Sequence, residues 1–179
     1  MPELPEVESI RGQLEPLIRG ARIIGATAHP SAKFSSAPNA VGHVVTGVGR
    51  RGKYLLVGLD AGRGSQRELI IHLGMTGGIQ VDDQRPRGPY CRALWHLDDG
   101  RHLWFRDVRR FGRLVVVNRG DHRSLPTLHA MGPEPFDPRL SSRRFHRSLA
   151  STRQRIKTSL LSQRHVAGLG NIYADESLW

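Results

Sequence analysis

The middle of this chain limits its fold more than any other part. From Ala21 to Val117 the sequence runs in short β-rich stretches, at 22–28, 44–48, 54–59, 68–73, 92–97, 102–105 and 113–117. Glycine, aspartate and proline punctuate them, and Asp98-Asp99-Gly100 has the composition of a hairpin turn. Short strands at such spacing predict a β-sandwich or barrel rather than βαβ units. Ahead of this band, Val7, Ile10, Leu14, Leu17 and Ile18 recur at helical spacing. Pro5 suits a first helical position, Glu6 and Glu8 sit at the positive end of the helix dipole, Pro16 predicts a kink or an early end, and Gly20 a stop. Beyond Gly132-Pro133-Glu134-Pro135 the β pattern ceases, and 141–150, 155–163 and 172–179 read as helices. The expected class is therefore α+β. An N-terminal helix with an antiparallel β-sandwich occupies residues 1–133, and an incomplete helical domain occupies 134–179. The close at Leu178-Trp179, barely into the last helix, reads as a cut end.

Lys plus Arg number 27 against 16 for Asp plus Glu, a formal charge of +11. Such a field favours a polyanion, nucleic acid being the commonest, with solubility alone as the bland alternative. Only Lys33, Lys53 and Lys157 are lysines. The single cysteine, Cys91, excludes a disulfide within these residues and a cysteine-rich zinc site. The nine histidines show no clustered ligand spacing, so no metal is expected. No apolar run approaches a membrane span, and the acidic, proline-containing start is unlike a signal peptide. A cytoplasmic monomer is expected.

Chemistry concentrates at the start, Met1-Pro2-Glu3-Leu4-Pro5-Glu6-Val7-Glu8. Removal of Met1 would leave Pro2 with a free secondary amine. An α-amine titrates near ~8 against ~10.4 for lysine, so far more of it is unprotonated at neutral pH. It can attack an electrophilic carbon and form an iminium. Glu3 beside it offers an acid or base to the same substrate atom.

The whole string resembles the start of the formamidopyrimidine-DNA glycosylase (Fpg) family, and further motifs follow in family order along the chain. The resemblance implies Pro2 as the nucleophile at C1′ of a damaged deoxynucleotide, Glu3 as the acid assisting sugar-ring opening, and Glu6 as an acidic residue ordering the site. Arg50-Arg51-Gly52-Lys53-Tyr54 resembles the family turn that carries a catalytic lysine. Lys53 is thus the expected proton donor for β-elimination, with phosphate binding as a second role. His72-Leu73-Gly74-Met75-Thr76-Gly77-Gly78 and Asp107-Val108-Arg109-Arg110-Phe111-Gly112 resemble the paired loops that enter the DNA stack. Met75 and Phe111 would form the apolar wedge, with Arg109 on the orphaned base and Arg110 as a further DNA contact. Val108 stands where the family usually has proline, which predicts a looser loop. Tyr90 stands where a DNA-contacting histidine is common.

Val166-Ala167-Gly168-Leu169-Gly170-Asn171-Ile172-Tyr173-Ala174 resembles the helix-two-turn-helix signature. Asn171 and the amides opening the following helix would meet a phosphate, with Lys157 and Arg153 on neighbouring ones. The family's four-cysteine zinc finger has no counterpart in these residues, so no cofactor is expected. The implied partner is double-stranded damaged DNA. The implied activity is that of a bifunctional glycosylase and AP lyase for oxidised purines such as 8-oxoguanine and formamidopyrimidines. Two alternatives stand beside it. One is a DNA-binding fragment with little or no catalysis. The other is an endonuclease VIII-like enzyme for oxidised pyrimidines, a group that usually begins Pro-Glu-Gly-Pro-Glu rather than Pro-Glu-Leu-Pro-Glu.

Overall fold

The computed structural model describes every residue except Arg63 and Arg87. Helix α1 (Leu4–Ile18) is followed by β1 (Ile23–Ala28), β2 (Val44–Arg51), β3 (Tyr54–Asp60), β4 (Gln66–His72), β5 (Gly77–Asp82), β6 (Cys91–Leu97), β7 (His102–Asp107) and β8 (Arg113–Asn118). Helices α2 (Pro126–His129), α3 (Ser142–Ala150), α4 (Ile156–Leu161) and α5 (Asn171–Leu178) come after. Among the described residues the strands pair into two antiparallel sheets, β1-β6-β7-β5 and β2-β3-β4-β8. The α+β class with an N-terminal helix, two antiparallel sheets and a trailing helical region is the one expected.

Burial explains both sheets. Leu55, Val57 and Leu59 alternate along β3 and point into the sandwich, where they meet Trp95, Leu103 and Phe105 of the other sheet. Val7, Leu14 and Ile18 place one face of α1 in the same core. The opposite face of the second sheet is covered too, since Tyr54 and Ile70 pack against Leu125 and Leu128 around α2. Coverage on both faces is why Leu69-Ile70-Ile71 is apolar without alternation.

Three local expectations need correction. Pro16 does not end α1, for the helix runs on to Ile18 and the Arg19 N–H still reaches the Glu15 carbonyl at 3.0 Å. The buried Leu14 and Ile18 outweigh the one amide that proline removes. Strand β5 is absent from the predicted set because Gly77-Gly78 lowers strand propensity, yet it pairs with β7 and lays Ile79 and Val81 against the core. Helix α4 stops at Leu161, two residues short of expectation, as Gln163 turns left-handed at φ 64°. Among the described residues no helix is long and apolar enough to cross a membrane.

Candidate active site

Glu3 joins the two ends of the chain. It caps α1 in extended geometry, and its N–H donates to the Glu6 carboxylate at 2.8 Å, closing a capping box. Its buried carboxylate crosses to α5, where it accepts from the amides of Gly170 (2.6 Å), Ile172 (2.8 Å) and Tyr173 (3.3 Å). Those amides are the unpaired donors of a helix start, and a carboxylate suits them and the dipole behind them. Three of the amides expected to face a phosphate, those of Gly170, Ile172 and Tyr173, are thus held by Glu3 instead. Asn171, on the first turn of α5, stays exposed.

Two glycines permit the seam. A methyl group on Gly170 would overlap the Glu3 carboxylate, and one on Gly168 would overlap the Leu4 side chain. Gly168 is also left-handed at φ 89°, and its carbonyl accepts the Leu4 N–H at 3.2 Å. Gln163 braces the turn, its Oε1 accepting from Gly168 N–H at 2.7 Å and its Nε2 donating to the Leu169 carbonyl. Pro2 is covalently fixed beside this anchored carboxylate.

Lys53 lies at the β2–β3 turn, where Gly52 adopts φ 53° at the first central position. Glu134 clamps the hairpin. It accepts from the Gly52 N–H at 2.7 Å, from Arg50 at 2.8 Å and from Arg51 at 3.2 Å. In the sequence Glu134 marks only a domain boundary, and no linear spacing could connect it to a turn 82 residues earlier. Lys53 is buried, and burial pushes its pKa down while the charge of Glu3 partly restores it. The two side chains thus share one electrostatic environment. His72 pairs in register with Tyr54, and burial with the Lys53 charge holds its pKa at about 4. Nothing in the sequence gives His72 a role beyond its place in a loop motif.

The two loops expected to enter DNA are tied to each other. Fully buried Asp107 accepts from the Thr76 hydroxyl at 2.6 Å and the Gly112 N–H at 2.7 Å. Thr76 in turn accepts the Arg109 N–H at 3.1 Å. Gly74 and Gly112 let the backbones meet, for a Cβ on Gly74 would sit 2.5 Å from Gly112 N. Met75 and Phe111 project outward at 46% and 47% exposure, large for apolar side chains of a folded domain. The Arg109 guanidinium lies 4.7 Å from the centre of the Phe111 ring. Arg110 is exposed at the tip. Val108 does not leave the loop unheld, as buried Arg92 donates to the carbonyls of Asp107 (2.7 Å) and Val108 (3.4 Å). Tyr90 is exposed within cation–π range of Arg92 and Arg106.

The helical contacts stand further out. Arg153 is exposed, while Lys157 is engaged by Asp175 at 2.6 Å. The structure thus groups Pro2, Glu3, Glu6 and Lys53 about one seam, and Met75, Arg109, Arg110 and Phe111 at a loop pair. Among the described residues no three His, Cys, Asp or Glu side chains are placed to hold a metal ion.

Known proteins share this sequence pattern and fold. The family model of the formamidopyrimidine-DNA glycosylase N-terminal domain matches residues 1–114, and that of the formamidopyrimidine-DNA glycosylase H2TH domain matches residues 131–179. Formamidopyrimidine-DNA glycosylase of Deinococcus radiodurans is 46% identical over all of this chain and 64% of its own length. The Thermus thermophilus protein of the same name is 44% identical, again over 100% of this chain and 64% of its own. The chain therefore spans somewhat less than two thirds of these relatives. The crystal structure of the MutM (Fpg) protein from Thermus thermophilus superposes with a TM-score of 0.87, covering 99% of this chain and 63% of that one. A complex of Lactococcus lactis Fpg with DNA containing an abasic site, 35% identical, gives 0.84 over 99% of this chain and 66% of that one. Sequence and fold agree over essentially every residue, and the chain belongs to the formamidopyrimidine-DNA glycosylase family.

Proposed function

We propose that this chain, once Met1 is removed, is a bifunctional DNA glycosylase and AP lyase acting on oxidised purines in duplex DNA. The observation that carries the reading is the setting of Glu3. One buried carboxylate is held by α5, adjoins the nucleophilic residue in sequence and acts electrostatically on Lys53. The Pro2 nitrogen attacks C1′ as the C1′–base bond breaks; the base leaves with the bonding pair and gains, in net, the proton that the Pro2 nitrogen gives up. Glu3 assists opening of the sugar by proton transfer to the ring oxygen, and the nitrogen lone pair forms the C1′ iminium. Solvent water then takes the C2′ proton, the freed electron pair forms a C2′–C3′ double bond as the C3′–O bond breaks, and Lys53 gives its proton to the departing 3′ phosphate. Burial lowers the Lys53 pKa and makes that proton easier to release. Met75 and Phe111 fill the gap left by the extruded nucleotide, at a site where unstacking costs a few kcal/mol. Similar structures carrying abasic-site DNA and DNA with carbocyclic 8-oxo-G support this substrate class.

Borohydride trapping on a duplex with one abasic site, followed by peptide mass spectrometry, tests the reading. The adduct should lie on Pro2. Lys53→Met should keep the adduct and slow strand nicking ~100-fold, the lower range for a lost general acid. No adduct, or an adduct on a lysine, defeats the catalytic reading, and binding without an adduct would make the chain a DNA-binding module. A panel of oxidised bases separates purine from pyrimidine preference.

A further inference from the structure

We propose that Lys33 is a positioning residue for the wedge, holding the tip of the 107–112 turn from a third segment of the chain. The inference rests on the reading of Met75, Arg109 and Phe111 as the group that enters duplex DNA. Arg110, at the tip, has φ 56°, a left-handed conformation that is unfavourable for a non-glycine residue. Such a residue persists only where its surroundings over-determine it. Asp107, Thr76 and Arg92 bind the base of the turn. At the tip, the Lys33 ammonium donates to the Arg110 carbonyl at 2.9 Å. The same ammonium lies 5.9 Å from the centre of the Phe111 ring, within cation–π range.

The platform beneath Lys33 is rigid. Its carbonyl accepts the Leu114 N–H at 2.8 Å, just past the turn. Ser36 donates to the Leu114 carbonyl at 3.1 Å and accepts the Val116 N–H at 3.3 Å. The neighbouring Phe34 is fully buried, 6.1 Å from Phe105 between ring centres. Lys33 is thus a flexible stem on a fixed base, and its charge reaches the one carbonyl of the turn whose residue is in a strained conformation. Arg109 shares the Phe111 ring and must leave it to reach a base. Lys33 keeps the tip in place while Arg109 moves.

Hydrogen–deuterium exchange of residues 108–112 in the free protein reads the loop without DNA. Lys33→Met should exchange about fivefold faster there, the worth of one exposed hydrogen bond, and Lys33→Arg should match the wild type. On duplex with 2-aminopurine opposite a tetrahydrofuran abasic analogue, Lys33→Met should raise the half-saturating concentration by a similar factor. Borohydride trapping on single-stranded abasic DNA, which needs no wedge, should not change. Wild-type exchange in Lys33→Met overturns the proposal, as does an equal loss on single strands or a failure of Lys33→Arg to restore the loop. If the exchange difference holds but wild type neither traps abasic DNA nor perturbs 2-aminopurine, the positioning role stands and the glycosylase reading falls.

Discussion

At the scale of single residues, burial sets the charge states around the site. Lys53 and His72 are both shifted toward their neutral forms, and each is a cost that the fold carries. For His72 the sign is plain. Its folded pKa is about 4 against an ordinary 6.5, so between those values the unfolded chain binds a proton that the folded chain refuses. Stability must therefore fall as pH drops through that window, by about 3 kcal/mol at most. Urea denaturation of wild type and His72→Gln from pH 7 to pH 4 checks this. The wild type should lose more stability than the variant, and parallel curves would show that His72 is not the group responsible. His72 also marks the limit of what the sequence makes legible. A histidine at the end of a strand is ordinary, and only its register opposite Tyr54 and its nearness to Lys53 give it meaning.

At the scale of elements, the seam between α1 and α5 is the feature on which the site depends. It is made of a carboxylate, a helix start and two glycines with no room for a side chain. Gly170→Ala should push Glu3 off the α5 amides and destabilise the chain by ~2–4 kcal/mol, in the range for overpacking plus a broken buried polar contact. Gly12→Ala is the control, because Gly12 lies in α1 with open space around its Cβ position. That change should stabilise by about 1 kcal/mol through helix propensity alone. Thermal melts of both distinguish them, and a neutral Gly170→Ala would mean that the seam is looser than its geometry. The helix-two-turn-helix string is legible as a motif. Its direct contact with Glu3 is not, because residues 3 and 170 meet only once both halves are folded.

At the scale of the whole molecule, the +11 charge is less available than its count suggests. Arg101, Arg123 and Arg139 each fold back onto the aspartate two residues before them, at 2.6, 2.7 and 2.7 Å. Arg50 and Arg51 are held by carboxylates, and Lys157 by Asp175. Of the cations proposed to meet DNA, Arg109, Arg110 and Arg153 are exposed with no ion pair among the described residues, while Lys53 is buried. Three such charges predict a slope of about −3 in log affinity against log salt concentration, at ~0.9 per phosphate. Titration of labelled duplex across a salt series measures it. Asp175→Asn should release Lys157 and steepen the slope by about one, while a flat dependence would refute phosphate contacts altogether.

The sequence by itself determined the local grammar of this protein. Helical spacing in residues 7–18, short β runs and an Asp-Asp-Gly turn identified the elements, because strand and helix periods are properties of neighbouring residues. The order of motifs, from Pro2-Glu3 to Gly168-Leu169-Gly170-Asn171, identified the family. The tertiary structure decided what those residues touch. It assigned the Gly170, Ile172 and Tyr173 amides to Glu3, brought Glu134 to the Lys53 turn, set Lys33 against Arg110 and carried α1 past Pro16. The physical reason is common to all four. Hydrogen bonds and packing between segments remote in the chain depend on where the core places each backbone, and no local pattern encodes that placement.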